Sequence, residues 1–338
     1  MTIKKIIDEI ASRLTGDAEK DMQTLMEEAE RYKDDVQALE ISRAIGRMLY
    51  KILPEDAKAE YQGIMDKLNL SRVTVLDEVK LKIKEGKLGE AEKIIKGLIP
   101  DDEIYREDKA SLYFAFSEPI QEIFYRQKFE PSKEVRWAEG INTEVFVTYA
   151  YLLFEREDYD GAMDMLDRGL ARNPLDTRLL FEKSEIYKLR EDWDAFVDTI
   201  DLCREYAYRA HDVARVYRGL GYMFIEQEDW DTAICCYLLS LSYGHHPMAQ
   251  SQLFCIQQKI QKKIDADHYY EHLEEILKRK NIAIGPPDEN VAIPYAYGES
   301  AEEEEDYELA CYFYSIVYDL TGDKEIGQKL ETLKTHLP

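Results

Sequence analysis

The sequence predicts an all-α fold, an array of antiparallel helix pairs, and three observations predict it. A short acidic and aromatic string recurs: Glu157-Asp158-Tyr159-Asp160, Glu191-Asp192-Trp193-Asp194, Glu228-Asp229-Trp230-Asp231, then Glu305-Asp306-Tyr307-Glu308. The steps between them are 34, 37 and 77 residues, the last close to two units. That period marks stacked helical hairpins, none of which buries its apolar face alone. Pro and Gly number only 10 and 16 and fall mostly between apolar-periodic segments. Hydrophobic residues make up 45% of 338 positions, enough for a core continued from unit to unit. In each string the acidic pair suits the turn between two helices. The last acid then lies near the second helix's positive N-terminus, and the aromatic packs back into the hairpin.

Charge bounds the partners. A net charge of −25 repels phosphate backbones and anionic membrane surfaces, so the expected partners exclude nucleic acid and membranes. The five cysteines (Cys203, Cys235, Cys236, Cys255, Cys311) lack C-x-x-C spacing and read as small buried hydrophobes in a reducing compartment. Asp8 and Glu9 interrupt the apolar stretch of residues 1–14, which does not read as a signal peptide. No apolar run is long enough to span a bilayer. The expected location is the cytoplasm.

Residues 1–70 read as a helical N-terminal cap or module without the repeat string. Ile3, Ile6, Ile7 and Ile10 share one face of a first helix closed by Gly16. Further helices are expected over 17–33, 36–52 and 54–68, the last started by Pro54. Residues 71–338 read as the array. It opens with helices over 73–85 and 90–98, joined through Gly86-Lys87-Leu88-Gly89. An aromatic-rich segment, 103–130, holds Tyr105, Tyr113, Phe114, Phe116, Phe124, Tyr125 and Phe129, and Pro119 is expected to end or kink a helix there. The clearest repeats occupy 143–246. A degenerate unit follows over 247–285, a last unit over 288–322, and a polar capping helix over 323–338.

Within 143–246 large and small apolar residues alternate where paired helices would cross. Leu220-Gly221, Phe224, Ala233 and Tyr237 show the pattern best. Phe146, Tyr149, Ala150, Leu153, Ala162 and Leu166, closed by Pro174, show it in the first unit. In this the chain resembles the tetratricopeptide repeat family. The second unit departs from that pattern, with Lys183-Ser184 in place of an apolar and small pair and Phe196 where alanine is usual. The resemblance implies a right-handed superhelical array, non-catalytic and without cofactors, whose first helices line a concave groove that takes an extended peptide or a partner helix.

Carried onto this chain, the groove-facing candidates are Glu144, Val147, Tyr151, Phe154 and Glu155 in the first clear unit. Arg178, Phe181, Glu185 and Lys188 follow in the second, then Arg215, Arg218, Tyr222 and Ile225 in the third. Arginines beside aromatics suit a partner carrying both carboxylates and apolar side chains. Residues 168–218 are nearly neutral within a strongly acidic chain, which points the same way. Some members of the family clamp a C-terminal carboxylate with Lys, Asn and Arg. Here the asparagines are missing and Glu185 would repel such a ligand.

Other chemistry is weaker. His268-Tyr269-Tyr270-Glu271-His272 is an H-x-x-E-H string that could hold zinc on a helix face, with Glu271 as general base, if a third ligand came from elsewhere. The same string also reads as an exposed face carrying two chance histidines. Gly219-Leu220-Gly221 lacks the strand and third glycine of a dinucleotide site. The acidic run 302–306 reads as a solvated helix end. The expected function is a non-catalytic scaffold binding a protein or peptide in the groove. The alternatives are a peptide-responsive bacterial regulator of a partner protein, a zinc hydrolase using 268–272, and a homo-oligomeric scaffold with segment 105–129 between subunits.

Overall fold

The structure, a computed structural model, describes residues 3–32, 70–99, 107–138 and 142–337, with positions 41, 44–46, 48, 49, 52 and 53. The helices expected over 36–52 and 54–68, and Tyr105, lie largely or wholly outside the described residues. Contacts divide the chain into two compact units, Met1–Pro100 and Asp101–Pro338.

In the first unit α1 (Ile3–Ser12) and α2 (Ala18–Arg31) are separated by Gly16, at φ +85°. Asp17 caps α2, its carboxylate accepting from the Lys20 N–H. Ile6, Ile10 and Leu25 bury together with Ile41 and Ile45. The pair α3 (Leu70–Lys84) and α4 (Leu88–Lys96) meets around Gly86, at φ +73°, and buries Ala91 and Ile95.

The second unit begins with a departure from helix. Ser111–Phe114 (β1) and Glu134–Trp137 (β2) pair in parallel, joined by α5 (Pro119–Phe129). Pro119 does not break a helix there. It occupies the first helical turn, where its missing N–H costs nothing. Phe116 and Phe124 are buried, whereas Phe129 and Trp137 stay exposed. Tyr125 stacks on Phe129 at 4.7 Å.

The hairpins follow: α6 (Glu144–Glu155) with α7 (Tyr159–Arg172), α8 (Thr177–Leu189) with α9 (Trp193–Tyr206), and α10 (Ala210–Glu226) with α11 (Trp230–Ser242). Then come α12 (Pro247–Ile260) with α13 (Ala266–Lys278), α14 (Glu289–Glu303) with α15 (Tyr307–Thr321), and α16 (Lys324–Lys334). The four acidic strings make one and the same turn. Glu157, Glu191, Glu228 and Glu305 all take left-handed φ, from 56° to 63°, and end the first helix of the pair. The next residue's N–H reaches back to the helix, as in Asp229 N–H to Phe224 O at 2.9 Å. The side chains of Asp158, Asp192, Asp229 and Asp306 then cap the second helix. The middle acid is therefore the cap. The last acid sits in the first helical turn, where the helix dipole favours it.

Small residues let the paired helices approach. A Cβ on Gly221 would lie 2.8 Å from the Tyr237 ring, and one on Gly298 would lie 2.9 Å from the Tyr314 ring. The same sixteen-residue offset relates Ala150 to Leu166 and Ser184 to Ile200, and all four are buried. Phe196 is accommodated by Gly219, whose added Cβ would meet the Phe196 ring at 3.3 Å. Helix α11 lies at the centre of the core, with every residue from Thr232 to Ser240 buried.

The pair α14–α15 is tied back to earlier elements. Asn290 donates to the carbonyls of Glu205 and Ala207, and Asp319 accepts from the Ala210 N–H at 2.7 Å. The Tyr312 hydroxyl donates to Glu118 at 3.0 Å. The loop leading there is latched by buried Tyr217, whose hydroxyl accepts from Gly285 N–H at 2.6 Å and donates to Ala283 O at 2.9 Å. Among the described residues no helix is long and apolar enough to cross a membrane.

Candidate functional site

The first helices α6, α8 and α10 are stitched along their N-terminal ends. The Thr143 hydroxyl donates to Asp176 at 2.7 Å, and the Thr177 hydroxyl donates to Asp212 at 3.0 Å. Arg178 joins this edge, bonded to Asp176, Glu144 and the Thr143 hydroxyl. Burial opposes its charge, but those carboxylates prevail and hold its pKa above the ordinary value. Asp212 is buried, and that burial raises its pKa despite neighbouring His211 and Arg215.

The candidate groove residues divide accordingly. Phe181 is corrected from groove to core: it is 1% exposed, and the Arg215 guanidinium lies 4.5 Å over its ring. Arg178 serves the edge between helices. Arg215 is spent on Phe181 and on Glu182, at 3.0 Å. Glu185 pairs with Lys188, whose ammonium also sits 4.9 Å over the Tyr222 ring. Glu144 is engaged by Arg178.

What is left is a set of accessible side chains on α6 and α10, on either side of α8. Tyr151 is exposed, and half-buried Phe154 packs edge-on against Tyr159. Tyr222 is half-buried, with Trp193 6.5 Å away. Arg218 is half-buried and, among the described residues, donates only to the Ser240 hydroxyl, at 3.3 Å. Burial, then neighbouring Arg215, lowers the Arg218 pKa. The sequence places Trp193 only at its turn. Its place beside Tyr222 follows from packing between units, which no local spacing reveals.

The metal string lies elsewhere, on an exposed face of α13. The rings of His268 and His272 are 4.4 Å apart, and His272 Nδ1 contacts the His268 carbonyl at 2.8 Å. Among the described residues no group of three His, Cys, Asp or Glu is placed to hold a metal ion. Cys203, Cys235 and Cys236 are buried, and desolvation raises their pKa values. Cys255 is exposed, contrary to expectation, and Cys311 is half-buried. An open cleft of about 660 Å³ lies beside Arg209, His211 and Tyr318. Its Arg209 is held by Glu118, and its Asp319 is engaged by the Ala210 N–H.

Among curated proteins no relative matches the chain. A family model, the tetratricopeptide repeat, matches residues 143–186. That span covers α6, α7 and most of α8, including the first of the acidic turns. Repeats of this kind are typically protein-interaction elements rather than catalytic ones. With the repeat matched there, and the same turn and crossing recurring to Tyr314, this chain is a tetratricopeptide-repeat-containing protein.

Proposed function

We propose that the chain is a non-catalytic scaffold that binds a peptide or an extended segment of a partner protein across α6, α8 and α10. The observation that carries this reading is the strip of Tyr151, Phe154, Tyr222 and Arg218. Tyr151 is exposed and Phe154, Tyr222 and Arg218 are half-buried, and Arg218 has no carboxylate partner among the described residues, while neighbouring Arg178, Arg215 and Lys188 are paired with carboxylates. Aromatic and arginine side chains of this sort are the usual anchors of a protein interface. The rigid first helices present them in a fixed frame, which lowers the ordering cost of binding.

The test is site-directed photocrosslinking in the native cell extract. A benzophenone side chain at Tyr151 or Tyr222 should capture a partner, and the same group at Leu202, exposed on the second helix α9, should not. Capture only from Leu202, or equally from all three positions, would remove the groove assignment.

A further inference from the structure

The sheet of β1 and β2 leaves backbone groups unfinished. Parallel pairing is the weaker kind, and two strands alone are marginal in water. Backbone directions alternate along a strand. The Glu134 N–H donates to Ala110 O and the Ala138 N–H to Phe114 O, so residues 134, 136 and 138 face β1. Val135 and Trp137 therefore turn their N–H and C=O groups outward. The outer edge of β1 is occupied. Its Ser111 N–H donates to the Asp108 carboxylate at 2.7 Å, its Ser111 O accepts from the Asp108 N–H at 3.0 Å, and the following Ala115 N–H donates to Arg172 O at 2.8 Å. On the outer edge of β2, among the described residues, the one bond comes from Arg126 to Val135 O, at 2.9 Å. A carbonyl oxygen has two lone pairs, so this bond leaves one for another donor.

Charged side chains usually guard such an edge, because like strands then repel. Here they do the opposite. The strand reads Glu134-Val135-Arg136, which is self-complementary about Val135. Set antiparallel against a second copy, with Val135 opposite Val135, these two residues exchange N–H and C=O. Glu134 of each copy then lies opposite Arg136 of the other, giving two cross-strand ion pairs. Both side chains are exposed and already paired with each other at 2.7 Å, so each gains a partner without giving one up. The neighbouring register, Val135 opposite Trp137, sets Arg136 against Arg136 and is disfavoured. Exposed Trp137 shares a face with Val135 and lies diagonal to the other copy's Val135, within reach of an aromatic ring.

We propose that the outer edge of β2 is a self-association surface, on which two copies of this chain join antiparallel into one four-stranded sheet. The net charge of −25 opposes association at long range, but physiological salt screens that repulsion over about 8 Å. The paired carboxylates and guanidiniums meet directly and are screened less. This inference is independent of the groove reading.

The test is light scattering of the full chain in about 0.15 M salt. Between about 1 and 100 μM the weight-average mass should rise from that of one chain toward that of two. Glu134→Arg and Arg136→Glu each set like charges opposite one another, and each should weaken the dimer by roughly tenfold or more. The double exchange Glu134→Arg/Arg136→Glu puts opposite charges back in register and should restore dimerisation. Far-UV circular dichroism checks that every variant keeps its helices. A wild-type chain that stays monomeric throughout this range would overturn the proposal. So would a dimer indifferent to both single exchanges, which would place the interface elsewhere, or a double exchange that stays monomeric like the single ones.

Discussion

Replacing Tyr217 by Phe would remove one oxygen atom and no packing volume. Tyr217 is fully buried, stacked with Tyr243 at 6.2 Å, and its hydroxyl bridges Gly285 N–H and Ala283 O. The two partners respond differently. Gly285 is buried, so its N–H would be orphaned at about 1–3 kcal/mol. Ala283 is exposed, so its carbonyl would regain water and lose about 1 kcal/mol at most. The expected loss is about 2–3 kcal/mol, or roughly 4–10 °C in Tm for a unit of this size. Urea unfolding followed by far-UV circular dichroism measures it, and hydrogen exchange reads the Gly285 amide directly. A loss below about 0.5 kcal/mol, the scale of an ordinary surface substitution, with unchanged Gly285 protection would show that the loop is not held by this hydroxyl.

Two further expectations concern the turns and alkaline pH. Glu228→Gly should stabilise by about 1 kcal/mol, because only glycine takes left-handed φ without a Cβ penalty. Asp229→Ala should cost about 1–2 kcal/mol through loss of the cap, and it also breaks the pair with Lys280 at 2.6 Å. Urea midpoints at constant slope would check both, and a stabilising Asp229→Ala would contradict the capping role. Burial raises the pKa values of Tyr208, Tyr217, Tyr237 and Tyr312, and pushes that of Tyr314 up to about 12. The unfolded chain ionises its tyrosines near pH 10. The resulting stability is fully present below that pH and is lost as pH rises through the higher folded values. Tyrosinate absorbance should therefore rise together with loss of helix above pH 10. Smooth titration of all the tyrosines near 10 with helicity intact would contradict their burial.

The hairpins were legible in the sequence because their turns carry a local code. A left-handed Glu followed by a capping Asp needs only adjacent residues, and Gly221 to Tyr237 is a fixed offset within one pair. The strands were not legible. Ser-Leu-Tyr-Phe and Glu-Val-Arg-Trp are too short to show a period, and they pair across a helix. Phe181 illustrates the limit at the site. Its spacing put it on the groove face, but Arg215 from the next hairpin covers it. Arg178 was diverted for a similar reason, through carboxylates on its own helix end and on α6. Spacing within one helix thus identifies a face but does not show what a neighbouring helix brings to it.

The back-reaching contacts of α14–α15 bear on how the second unit comes apart. In an open stack each hairpin answers only to its neighbours, so ends fray first and melting spreads unit by unit. Here the Tyr312–Glu118 bond spans 194 positions of sequence, and Asp319 and Asn290 add ties across more than eighty. Loosening of the last pair would uncap α10 and release the segment entering α5. With these ties the pair α14–α15 is not a loose end from which to unzip, and it should lose its structure together with α5 and α10 rather than before them. Its assembly must correspondingly wait for distant stretches of chain to meet.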